Sequence, residues 1–411
     1  MILGQLVAPI KRDLGISDTS IGLLAGFYFA IFYTMLGFPM GMIADRYSRR
    51  NLIAVGVFFW SLMTAVSSLA TSFFSLGFAR MGVGVGEATL GPSAFSMISD
   101  YFPKERLGGA LSFYAMGIFI GSGLTMIAGG TVVSTVADMP PVTLPLIGTI
   151  AAWRLIFLIV GLPGLLVAFL VFTIREPIRR SLLRTSEGQV SRLTFQDIVG
   201  QLALRKRSVI GVSLGLATQA LCNYAIIIWI SPYFQRVHNS RQAILVLGIL
   251  ILTAGIIGMY CGGRLCDYWL QRGIYEAPLK VGVLSTVGAG VFFGLSMNMP
   301  DLTLLLILMA PAQFFLAMPV GSSYAALQMI FPNQLRGFVS ALLLFTINLG
   351  LLTGTFLPGY LNDRLFRDGN MVGYSLTLTV VLASFLSATF FRTSYRSYRK
   401  HFEQMQGLDQ K

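Results

Sequence analysis

Apolar stretches of membrane-spanning length recur along the whole chain, separated by short polar turns. They fall at about 19–43, 52–71, 73–100, 107–132, 151–174, 208–235, 243–265, 277–298, 302–330, 337–361 and 371–391. A helix needs roughly 20 apolar residues to cross the hydrocarbon core of a bilayer. Residues 1–9 are apolar too but stop at Lys11-Arg12-Asp13. They read as the second half of a first span whose first half lies outside the sequence. The pattern therefore predicts an all-α polytopic membrane protein with twelve spans in two six-helix bundles. The longest polar interruption, 175–208, separates the sixth span from the seventh. Within it Thr194-Phe195-Gln196-Asp197 resembles a capping box, and Phe195, Ile198, Val199 and Leu202 share one helical face. The predicted organisation is a first bundle at 1–183, a linker with a surface-lying amphipathic helix at 184–207, a second bundle at 208–392 and a basic tail at 393–411.

One span departs from the pattern. Residues 72–100 are mostly apolar yet contain Arg80 and Glu87. An ionisable side chain at bilayer depth costs about 2.5–3.5 kcal/mol on insertion scales. Seven positions are almost two turns, so both side chains leave one face, roughly 10 Å apart along the axis. Gly82, Gly84 and Gly86 between them leave room for another helix or a ligand. The face predicts a wet cavity inside a bundle. A structural salt bridge between helices is the plainer alternative.

Composition narrows the class. The 411 residues are 55% hydrophobic and only 11% charged, with a net charge of +13. Such a charge can signal nucleic acid, but its distribution argues against that. If the linker is cytoplasmic, 22 of the 30 Lys and Arg lie on its side and six on the other. That asymmetry is the positive-inside pattern, with both termini in the cytoplasm. Cys222, Cys261 and Cys266 have neither zinc nor disulfide spacing, and His238 and His401 are too few for a metal site. No cofactor is expected.

The two halves echo each other. Gly41-Met42-Ile43-Ala44-Asp45 matches Gly263-Arg264-Leu265-Cys266-Asp267, and Phe102-Pro103 with Arg106 and Gly108 matches Phe331-Pro332 with Arg336 and Gly337. Gly121 and Gly350 share the 229-residue offset of the Phe-Pro pairs. Internal repeats in two six-helix halves are characteristic of transporters. By this pseudosymmetry Asp45 should face Arg336, and Asp267 should face Arg106, as a cytoplasmic gate. Asp100 is a further candidate partner for Arg46 or Arg106. A purely topological role for Arg46, Arg49 and Arg50 is the alternative. Glycines and a proline in the fifth and eleventh spans favour close approach and bending.

The run Gly41-Met-Ile-Ala-Asp-Arg-Tyr-Ser-Arg-Arg50 resembles the loop signature of the major facilitator superfamily. A narrower set resembles the spinster family. It comprises Asp45 through Arg50, Phe59-Trp60-Ser61-Leu62, Arg80 through Gly86-Glu87-Ala88, Gly121-Ser122-Gly123, Trp153-Arg154 and Arg175-Glu176-Pro177. The spinster resemblance is strong in the first half and diffuse in the second. It implies a carrier of lysolipids such as lysophospholipid or sphingosine-1-phosphate, coupled to protons, with Glu87 the protonation site and Arg80 its partner. It also implies an Asp-Arg pair on the first helix, which falls outside the sequence.

The second half offers a different lining. Its spans carry no midplane charge, but Asn223, Tyr224, Gln313, Tyr324, Gln328 and Asn348 are polar, and Trp229 and Phe314 are large and apolar. With Tyr114, Arg80 and Glu87 these form the expected substrate-binding set. A cavity charged on one wall and greasy on the other suits a charged headgroup with an acyl tail. For any single aromatic, helix packing is the simpler account. Nothing in the spans suggests a channel filter or a catalytic set, and a receptor leaves the duplicated loops unexplained. The expectation is a monomeric alternating-access carrier in a bacterial inner membrane. An exporter of drugs or other amphipathic metabolites is the competing transporter class.

Overall fold

A computed structural model describes residues 2–102, 104–136, 139–145, 148–178, 195–240, 242–331 and 335–409. The first half contains α1 (Ile2–Gln5), α2 (Val7–Leu14), α3 (Asp18–Ala25), α4 (Phe27–Arg46), α5 (Arg49–Val66), α6 (Phe73–Glu87), α7 (Leu90–Tyr101), α8 (Lys104–Val136) and α9 (Ala152–Val171). α10 (Phe195–Leu204) follows, then α11 (Lys206–Arg236), α12 (Gln242–Gln271), α13 (Ala277–Met297), α14 (Leu302–Ala317), α15 (Pro319–Met329), α16 (Arg336–Leu361) and α17 (Val372–Asp409). Among the described residues, nine helices are long and apolar enough to cross a membrane. This is a multi-pass membrane protein, as the hydropathy pattern predicts.

Polar residues set the helix ends. Ser17, Ser48 and Asp301 each accept a hydrogen bond from a backbone N–H in the first turn of α3, α5 and α14. Ser72 and Ser75 form a reciprocal capping box at the start of α6. Gly15 ends α2 at φ +63°, a left-handed conformation that costs glycine little. α10 forms where the linker pattern predicts a helix; the side chains of 195–199 lie outside the described residues.

Three features depart from the expected layout. The spans predicted at 73–100 and 302–330 are each broken, at Ala88–Thr89 and at Met318. A proline follows each break; its missing N–H cannot bond the carbonyl four residues earlier, and its ring crowds it. Pro92 stands four residues after Ala88, and Pro319 four after Phe315. An antiparallel hairpin, β1 (Val142–Leu144) with β2 (Gly148–Ile150), also follows α8.

The chain divides into two compact units. Unit 1 holds 1–178 with 223–252 and 351–379; unit 2 holds 179–222, 253–350 and 380–411. Compactness therefore does not follow the sequence halves, because parts of α11, α12, α16 and α17 join the first half in unit 1. Close backbone contacts in unit 1 depend on glycine. A Cβ on Gly22 would sit 2.6 Å from the Thr355 carbonyl oxygen, and one on Gly123 would sit 2.9 Å from that of Gly248. In unit 2, Val212, Leu216, Leu279, Phe331, Phe391 and Tyr398 form a buried core.

Candidate functional site

The polar site of unit 1 is built on the broken helix. α6 ends at Glu87, immediately before the break. Thr89 closes the break by donating its hydroxyl to the Gly86 carbonyl at 2.9 Å, and its N–H reaches the same oxygen at 3.2 Å. The glycines of α6 serve helix packing rather than ligand space. A Cβ on Gly84 would meet the Phe29 carbonyl of α4 at 2.5 Å, and one on Gly86 the Trp60 nitrogen of α5 at 2.7 Å. Arg80 and Glu87 leave α6 on the remaining face.

Glu87 is exposed although protein surrounds it. That combination marks a side chain lining a hollow. Tyr33 and Tyr114 lie within electrostatic reach of it. Arg80 and Glu87 interact through space but do not close to ion-pair distance. Instead Arg80 donates from Nε to the Leu24 carbonyl at 3.4 Å and lies over the Phe29 ring, 5.5 Å from its centroid. Among the described residues no salt bridge ties either side chain to a neighbouring helix.

The other expected lining residues are distributed over both units. In unit 1, Asn223 and Tyr224 are half-buried, while Trp229 is fully buried and donates its indole N–H to the Thr355 carbonyl at 2.8 Å. In unit 2, Gln313 and Asn348 are buried and Gln328 is half-buried. The Asn348 side chain donates to the Leu344 carbonyl at 2.9 Å, and Phe314 packs edge-on against Phe315. The Tyr324 side chain lies outside the described residues.

At the turn between α4 and α5, Asp100 binds Arg49 at 2.5 Å. Arg49 is 1% exposed and fully engaged. It reaches Asp100, the Ser96 hydroxyl at 2.8 Å, the Pro177 carbonyl at 3.0 Å and Glu176 at 3.4 Å. Glu176 accepts the Arg49 backbone N–H at 2.8 Å and the Ser48 hydroxyl as well. Burial alone would raise the Glu176 carboxyl, but these hydrogen bonds and the Arg49 charge hold it below its ordinary pKa. Arg46 and Asp267 are exposed; the side chains of Asp45, Arg106 and Arg336 lie outside the described residues.

A second polar cluster of unit 1 was not anticipated. Asp18, at the start of α3, is fully buried. It accepts two hydrogen bonds from Arg236 at 2.7 and 2.8 Å, one from Asn362 at 2.6 Å and one from Lys11 at 2.5 Å. Next to it, Asp363 accepts both the N–H and the hydroxyl of Thr19 at 2.6 Å. The cluster ties α3 to the ends of α11 and α16. A carboxylate at a helix N-terminus after a serine cap was the available signal. The arginine that meets it lies 218 residues away, so the pairing itself was not legible.

Helices of this length, with a charged hollow beside a break and internal repeats, define a membrane carrier. The chain belongs to the Major Facilitator Superfamily, whose profile matches residues 1–355. It is 26% identical over 408 residues to an MFS-type efflux pump of Mycolicibacterium smegmatis, covering 96% of this chain and 88% of that protein. It is 28% identical over 319 residues to protein spinster homolog 1 of Xenopus tropicalis, covering 73% of this chain and 57% of that relative. The chain thus spans little more than half of that relative's length. Relatives at similar identity also carry the names of sugar-acid transporters. The fold matches the crystal structure of a bacterial homolog of the human lysosomal transporter spinster, inward-facing and unoccupied. The TM-score there is 0.79 at 24% identity, over 97% of this chain and 94% of that one. The family and fold are those of transporters rather than enzymes.

Proposed function

We propose that this chain is a proton-coupled, alternating-access carrier of lysolipids, meaning lysophospholipid or sphingosine-1-phosphate-like amphiphiles. The observation that carries the reading is Glu87: a carboxylate facing a hollow, at the last residue of a helix that breaks directly after it. A carboxyl there changes environment whenever the helix bends, which lets it take a proton in one state and release it in the other. Arg80, two turns away, supplies a cation for a phosphate or carboxylate headgroup. The similarity to spinster proteins supports the lipid class. The full extent of the efflux-pump similarity supports the second reading, an exporter of drugs or other amphipathic metabolites.

In this reading the Asp18 cluster closes one end of unit 1 and must separate when that end opens. The expected setting is a bacterial inner membrane with both termini cytoplasmic.

The test is flux into proteoliposomes with an imposed pH gradient, using labelled lysolipids, a hexuronate and a cationic dye. Lysolipid flux should rise with the gradient, and Glu87→Gln should hold it at the level seen without one. Proton-driven flux undiminished in Glu87→Gln would end the coupling assignment. Dye or sugar-acid transport without lysolipid transport would replace the substrate class.

A further inference from the structure

Among the described residues two arginines are buried, and they are treated differently. Arg49, 1% exposed, meets two carboxylates, a hydroxyl and a carbonyl. Arg205, 8% exposed, meets none of the described carboxylates. One terminal nitrogen bonds the Gln201 side chain and backbone, the guanidinium lies 5.2 Å from the Phe331 ring centroid, and the buried Nε has no partner. A buried charge left without a counter-charge is unfavourable.

The surroundings of Arg205 are those of an anion site. It occupies the turn between α10 and α11, so the first N–H groups of the 31-residue α11 open beside it. Such an end attracts anions through free donors and the helix dipole. Ser208, one turn on and fully buried, lies 2.9 Å from the Ser397 hydroxyl and 2.9 Å from Nδ1 of His401. His401 is within electrostatic reach of Arg205. Lys400 stands exposed beside it. Lys206 is the first residue of a helix long and apolar enough to cross a membrane.

We propose that Arg205, Ser208, Ser397 and His401 form a binding site in unit 2 for a phosphate group, apart from the Glu87 site of unit 1. Two sources share that chemistry: an anionic phospholipid headgroup and free inorganic phosphate. The guanidinium supplies charge and directed N–H donors, and the hydroxyls complete the shell.

The experiment uses the full chain in nanodiscs and reads its thermal unfolding midpoint. One series adds inorganic phosphate to phosphatidylcholine discs, against chloride at equal ionic strength. The other replaces part of the phosphatidylcholine with phosphatidylglycerol. Occupancy should raise the midpoint by at least roughly 2 °C. A rise with phosphatidylglycerol alone assigns a lipid headgroup; a rise with both assigns a site that also takes free phosphate. Arg205→Gln should abolish the rise, and so should Ser208→Ala combined with Ser397→Ala. The outward-facing pair Arg392→Gln with Arg396→Gln should keep it, because those side chains are exposed on another face of α17. No rise in the wild type with either anion overturns the proposal, as does a rise that survives in the serine variant or, where it folds, in Arg205→Gln.

Discussion

The break after α6 in the first half and the break after α14 in the second stand at equivalent positions of the internal repeat. An offset of 229 residues carries Ala88–Thr89 onto Ala317–Met318 and Gly86 onto Phe315. The Gly86 and Phe315 carbonyls each accept an N–H three residues on, at 3.2 Å from Thr89 and 3.3 Å from Met318. Each also takes a hydroxyl. Gly86 receives that of Thr89, within its own break, whereas Phe315 receives that of Ser285 on α13, at 2.6 Å. The backbone solution is shared, but the chemistry is not. Glu87 and Arg80 correspond to Leu316 and Met309, both buried and apolar. A break therefore needs no charged pair to form. The acid and base in the first half are surplus to the bend, which is the physical case for giving them a functional role.

The same contrast appears at the turns. The first-half turn buries Arg49 against Asp100 and Glu176. In the matching second-half turn Arg272 is exposed and lies 4.3 Å from the Tyr268 ring centroid. The largest expected effect on stability follows from this difference. Arg49→Gln removes the guanidinium from the Asp100 carboxylate, which is 3% exposed, and should destabilise the protein by about 3–5 kcal/mol. Arg272→Gln should change stability by no more than about 0.5 kcal/mol. Thermal unfolding of the two variants in one detergent checks this, and equal losses would erase the contrast between the halves.

How much of this could be read beforehand depends on the range of the interaction. The spans were legible because an apolar run of bilayer length has few other uses in a chain with 11% charge. Arg80 and Glu87 were legible because they violate that run. The breaks had a local signal, Pro92 and Pro319, which the hydropathy of residues 73–100 and 302–330 outweighed. Arg49 and Asp18 were not legible as buried hubs. Each is an ordinary loop or cap residue until partners more than 100 positions away, Glu176 and Arg236, close over it.

Gly56 and Ser285 occupy equivalent positions beside the two breaks, again 229 residues apart. A Cβ on Gly56 would lie 1.8 Å from the Thr89 hydroxyl oxygen and 2.8 Å from the Gly86 carbonyl oxygen. Gly56→Ala must push the break away from α5, and should cost about 1–3 kcal/mol by overpacking. Ser285→Ala leaves the Phe315 carbonyl with one donor fewer, at about 1 kcal/mol, and Thr89→Val does the same to Gly86. The last two sites share no partner, so the double variant should lose the sum of the single losses. Thermal unfolding of all four variants measures these losses. A Gly56→Ala loss no greater than that of Ser285→Ala would mean that the first break has slack the close contact does not suggest.

The smallest effect is a pH dependence confined to the first-half turn. The folded protein holds the Glu176 carboxyl below its ordinary value of 4.5, because the hydrogen bonds from Ser48 and Arg49 and the Arg49 charge outweigh burial. A depressed pKa stabilises the fold where the carboxylate is charged in both states. That contribution is complete above about pH 4.5 and is lost as pH falls through the folded pKa. The stability gap between wild type and Glu176→Gln should therefore be constant from roughly pH 6 to 8 and shrink below about pH 4.5. Hydrogen exchange, corrected for its intrinsic pH dependence, should show the loss at residues 46–52 and leave 266–274 unchanged. A gap that widens on acidification would mean that burial, which raises the pKa, wins over the hydrogen bonds. The Arg49 turn would then be held by packing rather than by its charges.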